Sequence, residues 1–249
     1  MSKPASYIAD HLRKVLVDGA AAPHTAEVEK FFKDEITSRG WYTGELRKLA
    51  RRFCKVIRHD AGGARLVSVA DELFRGNVFE EKVLAVLFLE NSVGDLTPAD
   101  FRLFESWLDR VSTWADHDAL CHYLIGPMMV DQPRRHARAL AWSRSPHRWH
   151  RRAAAVSLIR GARSRMFADA IAKVCRRLLD DQDLMVQKGL GWLLRESAKY
   201  NPKFAIPLLR SIREQAPRLV LRTACETVSP RIRNQLLKKT PRRAAKAAY

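Results

Sequence analysis

Apolar residues recur along this chain at positions i, i+3, i+4 and i+7, in one segment after another. That spacing places apolar side chains on one face of an α-helix, and no segment shows the sustained alternation that is typical of a strand. We therefore expect an all-α protein. Helices are predicted over residues 6–16, 26–38, 43–58, 65–74, 79–90, 98–110, from 114 onward, 133–144, 148–159, 165–180 and 184–200, with shorter helices up to residue 239.

Glycine and proline residues separate the predicted helices. Gly40 ends the second helix, Thr97-Pro98 supplies an N-cap followed by a first-turn proline, and Asn201-Pro202 restarts the chain. Pro207 is the exception, because it falls inside a predicted helix. We expect it to kink or divide that helix.

The number and spacing of the helices favour one all-α architecture. About twelve to fourteen helices joined by short loops form antiparallel pairs, and pairs stacked side by side make an α-solenoid of HEAT-like repeats. We expect one such domain over residues 1–239, with a concave basic face, and a basic flexible tail at residues 240–249. An irregular helical bundle is the competing arrangement.

The charge of the chain is asymmetric. The formal net charge is +18, but residues 1–130 hold 17 Lys+Arg and 19 Asp+Glu, whereas residues 131–249 hold 28 and 8. A basic half spread over several helices indicates a polyanionic partner, and nucleic acid is the first candidate because neutralised phosphates release counterions. A basic surface kept for solubility and an anionic membrane surface are the alternatives.

Cysteine, histidine and hydropathy patterns argue against several other classes of protein. Cys54, Cys121, Cys175 and Cys225 are far apart and lie in helix-like apolar runs, so we expect reduced, buried thiols in an intracellular, cytoplasmic protein. The eight histidines lack the spacing of zinc motifs, and we expect neither a metal nor another cofactor. No apolar run is long enough to span a membrane, and the N-terminal residues lack the pattern of a secretory signal.

A candidate site lies at the start of the helix that begins at Trp114. Thr113 is a suitable N-cap, and Asp116 follows three residues later, as in a capping box. Trp114 and Asp118 are four residues apart, so an indole and a carboxylate share one face of this helix. Both groups attract positive charge, the carboxylate through its own charge and the ring through its negative π-face. A core tryptophan beside a helix-start aspartate is the structural alternative.

A basic stretch in the second half, at residues 148–154, carries further candidates. Trp149 and Arg152 are three residues apart at a predicted helix start, with Arg148 and Arg151 beside them. The structural alternative for the tryptophan is core packing, and for the arginines it is a solvated helix face.

A second basic stretch, at residues 185–199, has Gly189 and Gly191 inside a helix, where each glycine costs about 1 kcal/mol relative to alanine. Such glycines are favoured where another helix or a ligand backbone comes close. Trp192 follows immediately. The cations of this stretch are Lys188, Arg195 and Lys199.

Three motifs follow one another along the chain: STWADHD at Ser112–Asp118, WHRRAA at Trp149–Ala154 and QKGLGWLLRESAKYNP at Gln187–Pro202. Together they resemble the AlkD-like DNA alkylation repair family, whose members are DNA glycosylases built from HEAT-like repeats. The first is similar to the family's tryptophan–aspartate helix start, the second to its W-x-x-R-A-A segment, and the third to its QKAIGW-x-LRE-x-AK-x-NP signature. Phe31–Leu49 resembles an early helix–loop–helix of the family, except that Gly44 stands where a proline is usual.

The resemblance implies a role for each matching residue. Asp118 would be the catalytic carboxylate, and Trp114 and Trp192 would flank the deoxyribose that carries the lesion. Arg152 and Arg195 would contact the DNA backbone. We expect neighbouring cations to add to DNA binding; these are Arg148, Arg151, Lys188 and Lys199.

The implied reaction is excision of cationic N3- or N7-alkylated purines, such as 3-methyladenine and 7-methylguanine, from double-stranded DNA in base excision repair. The base leaves as a neutral molecule, so no general acid is needed, and a fixed carboxylate has to stabilise an oxocarbenium-like sugar. The resemblance also implies that the base is not flipped out of the duplex. We expect a monomer that leaves an abasic site and does not cut the strand.

Two other classes of function remain open. One is a non-catalytic HEAT-repeat protein that recognises damaged or distorted DNA, and the intact Asp118 with both tryptophans tells against it. The other is a HEAT scaffold that binds protein or RNA. The charge asymmetry tells against a protein-only partner, but it does not separate DNA from RNA.

Overall fold

The computed structural model describes residues 3–32 and 36–238, and its regular secondary structure is helical apart from an isolated parallel β-bridge between Thr37 and Val78. The all-α fold predicted from the sequence is confirmed. Short 3-10 turns lie at Val93–Asp95, Leu108–Arg110 and Pro133–His136, and a π-helical turn lies at Cys121–Ile125. The α-helices are α1 (Ala5–Asp18), α2 (Ala22–Phe31), α3 (Thr43–Ala61), α4 (Gly63–Phe74), α5 (Phe79–Leu89), α6 (Pro98–Trp107), α7 (Trp114–Leu120), α8 (Gly126–Asp131), α9 (Ala137–Trp142), α10 (Arg148–Val156), α11 (Ile159–Arg163), α12 (Ala168–Leu178), α13 (Leu184–Tyr200), α14 (Pro202–Ile212), α15 (Arg218–Ala224) and α16 (Pro230–Leu237).

The chain divides into two compact units, Met1–Arg135 and His136–Tyr249. In the first unit, α5 packs against α3, α4 and α7, and in the second, α13 packs against α10, α11, α14 and α15. One domain over residues 1–239 and a HEAT-like solenoid with a concave basic face stay predictions. The tail predicted at residues 240–249 lies outside the described residues.

The first turn of α5 carries buried charged residues that bind other segments of the first unit. Every residue from Glu80 to Leu89 is buried, including three consecutive charged residues. Glu81 accepts a hydrogen bond from Arg13 Nε on α1 (3.1 Å), and Lys82 donates to the Arg110 carbonyl and to Ser112 Oγ. Buried charges are tolerated only when they are paired or hydrogen-bonded, so each of these groups fixes the segment that it binds.

The second helix is shorter than the sequence predicted. The apolar pattern indicated a helix over residues 26–38, whereas α2 begins earlier and ends earlier, at Ala22–Phe31. Glu80 on α5 accepts hydrogen bonds from Ser38 Oγ (2.7 Å), Arg39 N (2.9 Å) and Gly40 N (3.0 Å). A buried carboxylate from a distant segment thus holds residues 38–40 out of helical geometry, because an unmade bond there would be costly.

Pro207 does not divide its helix. α14 is continuous through this residue, and Ala205, Leu208, Leu209 and Ile212 form its buried face. A proline removes one backbone donor, but its fixed φ is compatible with a helix. Burial of the apolar face therefore outweighs one lost hydrogen bond.

Within residues 3–32 and 36–238, none of the helices has the length and hydropathy to cross a bilayer.

Candidate active site

The start of α7 is fixed by the capping box that the sequence predicted. Thr113 Oγ1 accepts hydrogen bonds from Ala115 N (3.2 Å) and Asp116 N (3.4 Å). The Asp116 carboxylate accepts from Thr113 N (2.7 Å) and Ser112 N (2.9 Å). Asp116 is 1% exposed. These bonds set the direction in which α7 leaves the preceding turn.

Lys82 on α5 forms an ion pair with Asp116 at this helix start. Its ammonium group lies 3.8 Å from Asp116 Oδ2, and the two side chains are 3% and 1% exposed. Burial lowers the pKa of Lys82, the nearby Asp116 opposes that shift, and Arg110 adds to it. Asp116 is therefore a structural carboxylate that is held by the helix start and by Lys82.

Trp114 and Asp118 lie one turn apart on α7, as their spacing predicted, and both side chains are half-buried. The Trp114 ring stacks on Phe32, with centroids 5.4 Å apart and planes at 28°, and meets Phe31 edge-on at 5.9 Å. Phe31 is 69% exposed. The contact joins segments that are distant in sequence, so the sequence pattern does not connect these phenylalanines with Trp114.

Asp118 has a further neighbour that the sequence pattern does not reveal, namely His117. His117 Nδ1 lies 2.8 Å from Asp118 Oδ1, and His117 Nε2 lies 3.6 Å from Cys121 Sγ. The His117 side chain is completely buried. Burial lowers the pKa of this imidazole, but Cys121 and Asp118 raise it more, to about 9. Because an ionised carboxylate only accepts hydrogen bonds, His117 Nδ1 donates to Asp118 Oδ1.

A cavity of about 330 Å³ opens beside the same helix start. Lys82, Ser112, Thr113, Asp116 and Phe79 contribute to its lining, whereas neither Trp114 nor Asp118 does. The charged residues of its lining are Lys82 and Asp116, which form an ion pair with each other. We assign this cavity no part in the chemistry.

In the second unit, Arg152 is held between α10 and α13. Its guanidinium donates to the Met185 carbonyl, and the side chain is 5% exposed overall. A methyl group added at Gly189 would lie 3.1 Å from Arg152 Cγ, so the glycine makes room for this arginine. Gly191 has a different reason, because a methyl group there would lie 2.8 Å from Thr223 Cβ on α15. Both glycines thus mark the close approaches that the sequence indicated.

Arg195 on α13 belongs to an ion-pair network. It donates to Glu226 Oε2 (2.8 Å) and lies 3.3 Å from Glu196 Oε1. Arg163 Nε donates to the other Glu196 oxygen (2.7 Å). Burial raises the pKa of Glu196, but the two arginines lower it more, so the net pKa is below the usual range. Glu226 is exposed, and its bond to Arg195 is the solvent-facing end of the network.

The other predicted DNA-binding residues have different surroundings. Arg151 donates from Nε to Asp181 Oδ2 (2.6 Å) and from Nη1 to the Pro146 carbonyl (2.7 Å). Arg148 lies over the Trp149 ring at 4.7 Å, and Trp149 is a buried core residue. Two further cations of α13 are exposed, namely Lys188 and Lys199.

Within each unit the structure brings part of the predicted site together. Trp114 and Asp118 share one face of α7 in the first unit. In the second, Arg152 touches α13 at Gly189, three residues before Trp192. Among the described residues, no cluster of His, Cys, Asp and Glu could hold a metal ion.

These features define an all-α protein with a carboxylate–indole pair in one unit and an arginine-lined helix pair in the other. The chain belongs to the DNA alkylation repair enzyme family, whose sequence model matches residues 12–228. Membership of this family indicates a role in the repair of alkylated DNA. A predicted DNA alkylation repair enzyme from Enterococcus faecalis is similar in fold, with a TM-score of 0.75 and 17% sequence identity over 84% of this chain and 96% of that chain. No curated protein matches the sequence.

Proposed function

We propose that this protein is a monofunctional DNA glycosylase that excises N3- and N7-alkylated purines from double-stranded DNA in base excision repair. The observation that carries the proposal is the pair formed by Trp114 and Asp118 on one face of α7. Membership of the DNA alkylation repair enzyme family, the basic second half and the cations of α10 and α13 support it.

The chemistry of an alkylated purine suits these groups. Alkylation at N3 or N7 gives the purine a positive charge, so the base departs as a neutral molecule when it takes the electrons of the glycosidic bond. The sugar becomes oxocarbenium-like, and water supplies the oxygen of the new C1′ hydroxyl while one proton is released. The carboxylate of Asp118 stabilises the developing charge, and the indole face of Trp114 adds about 0.5–2 kcal/mol.

The proposal gives the second unit the task of holding DNA. Trp192 packs on the deoxyribose, Arg152 and Arg195 contact the phosphate backbone, and the remaining cations add non-specific affinity. Those remaining candidates are Arg148, Arg151, Lys188 and Lys199. The lesion is recognised through its charge and through the backbone, so the base stays in the duplex. Neutral bases such as uracil, which need acid catalysis, are poor substrates under this proposal.

The test compares wild-type protein with Asp118→Asn on duplex DNA that contains 7-methylguanine and 3-methyladenine. The expected result is release of free base by the wild type and a loss of about 100-fold or more in single-turnover rate for the variant, at unchanged DNA affinity. Asp18→Asn, an exposed residue at the end of α1, is the matched control for the same loss of charge.

Each other outcome identifies a different error. A folded wild-type protein that binds the duplex and releases no base favours the non-catalytic DNA-binding protein. Equal release by wild type and Asp118→Asn keeps the glycosylase and removes Asp118 as its carboxylate. Binding that does not weaken with salt argues against a phosphate-contacting surface altogether.

A further inference from the structure

A buried histidine beside the candidate catalytic carboxylate is the feature from which we draw a further inference. His117 is completely buried at the second turn of a short helix, where an apolar side chain would cost less. Its two ring nitrogens face two polar groups of the same segment, Asp118 Oδ1 at 2.8 Å and Cys121 Sγ at 3.6 Å. The burial is therefore compensated by contacts that include the Asp118 carboxylate.

The direction of the hydrogen bond follows from the groups themselves. An ionised carboxylate only accepts, so His117 Nδ1 carries the proton and donates it to Oδ1. Asp118 on α7 and Cys121 in the following turn both face nitrogens of the ring. From the neighbouring α5, Lys82 reaches the same helix start, and Asp116 balances its charge. The Nδ1–H of His117 thus points at the Asp118 carboxylate.

We propose that His117 is a positioning residue that fixes the plane of the Asp118 carboxylate for the glycosylase reaction. This inference rests on the proposed function. Neighbouring residues on a helix normally point about 100° apart, so a bond between positions 117 and 118 needs both side chains to turn toward each other. The bond therefore selects one orientation of the Asp118 side chain from the several that a half-buried aspartate can adopt.

The reaction gives this orientation its importance. A carboxylate stabilises an oxocarbenium-like sugar only if it already stands where the charge develops, because reorganisation during the reaction would cost part of the gain. Displacement of a catalytic group by about 1 Å can cost on the order of 100-fold in rate. His117 Nδ1 carries the proton that it donates to Asp118, and Nε2 faces the buried Cys121, so we assign His117 no proton transfer with the attacking water. Cys121 is completely buried and serves as the second neighbour of the ring.

Two substitutions of His117 separate the effect of its hydrogen bond to Asp118 from the effect of its side-chain volume. In His117→Asn, the side-chain amide nitrogen stands near the place of Nδ1 and keeps a donor toward Asp118. In His117→Leu, a side chain of similar size has no donor. Single-turnover rate, DNA affinity and melting temperature are measured for both variants and for the wild type on duplex DNA that contains 7-methylguanine.

The expected result is a loss of about 10- to 100-fold in rate for His117→Leu, at unchanged DNA affinity, with at least partial recovery in His117→Asn. Combined with Asp118→Asn, the leucine substitution should add no further loss, because the two residues act as one unit. A purely structural role would instead lower the melting temperature and the DNA affinity of both His117 variants and would add to the effect of Asp118→Asn.

A second readout is independent of activity. ¹⁵N NMR of the DNA-free protein should show a His117 ring protonated at Nδ1 near neutral pH, with a signal that shifts in Asp118→Asn. Equal rates for wild type and His117→Leu overturn the role of His117 and leave the proposed function standing. Absence of base release by the wild type overturns the proposed function and this role with it. An Nδ1 without a proton overturns the hydrogen bond on which the inference depends.

Discussion

The two regions that carry the candidate residues handle charge in opposite ways. At the start of α7, Lys82, Asp116 and His117 are at most 3% exposed, and each has a partner inside the first unit. On α13, by contrast, Arg195 keeps 30% of its side chain exposed and bonds to Glu226, which is 52% exposed. The start of α7 is built from sealed pairs, whereas solvent reaches the Arg195–Glu226 pair.

This difference matches the tasks of a fixed carboxylate and of a DNA-binding surface. A buried ion pair is expensive to assemble, but it holds one geometry because every alternative leaves a charge unpaired. An exposed ion pair contributes little, about 0–1 kcal/mol, and a phosphate can replace its carboxylate at small cost. The start of α7, where the proposed chemistry takes place, is thus held rigidly. The Arg195–Glu226 pair, by contrast, can exchange its carboxylate for a DNA phosphate under the proposed function.

The largest effect is expected when a sealed pair is broken. Lys82→Met should lower the free energy of unfolding by about 3–5 kcal/mol, because Asp116 would keep a buried charge without its counter-charge. Urea denaturation measures this loss. Lys55→Met, on the exposed face of α3, is the matched control and should stay within about 0.5 kcal/mol of wild type. Adding Asp116→Asn to Lys82→Met should recover part of the stability, and no recovery would argue against charge as the cause.

A smaller effect is expected from the two glycines of α13. Gly191→Ala should destabilise the protein by about 1–3 kcal/mol, because the new methyl group meets Thr223 Cβ at 2.8 Å and the gain in helix propensity does not offset that conflict. Gly189→Ala meets Arg152 Cγ at the longer distance of 3.1 Å and should destabilise the protein less than Gly191→Ala does. Thermal or urea denaturation of both variants measures this, and an equal or larger loss for Gly189→Ala would contradict the ranking by distance.

The smallest effect concerns the exposed pairs. Arg195→Gln should weaken binding to duplex DNA and reduce the slope of log affinity against log salt by about 1, because one phosphate contact is lost. Arg151→Gln should lower stability as well as DNA affinity, since its guanidinium is held by Asp181 and the Pro146 carbonyl. Arg58→Gln on α3 is the control for the change in charge. A wild-type salt slope for Arg195→Gln would exclude its phosphate contact.

The sequence predicted those helices well whose ends are set locally. α13 begins and ends at the predicted residues, Leu184 and Tyr200, because Asp183 caps its first turn and Asn201-Pro202 follows its last. α2 is the counterexample. Its apolar period continues to Ser38, but Glu80 on α5 binds that segment from outside the helix. A periodic pattern contains no information about such a distant partner.

The site was predictable to the same extent. The spacing of Trp114 and Asp118 follows from the helical period, and the capping box follows from Thr113 and Asp116. The bond between His117 and Asp118 does not, because adjacent helix residues are not expected to face each other. Nor does the fit of Arg152 against Gly189, which joins two helices. Long-range neighbours decide what each candidate side chain can do, and one sequence does not list them.

The buried charges of α5 also have a consequence for helical register. Glu80, Glu81 and Lys82 are consecutive, so they point about 100° apart and reach three different segments of the chain. Glu80 holds the segment after α2, Glu81 holds α1, and Lys82 holds the turn from which α7 departs. One inserted or deleted residue at this turn would rotate all three charges away from their partners. The helical register of α5 therefore helps to set the orientation of α7, which carries Asp118, although α5 contains none of the proposed reacting groups.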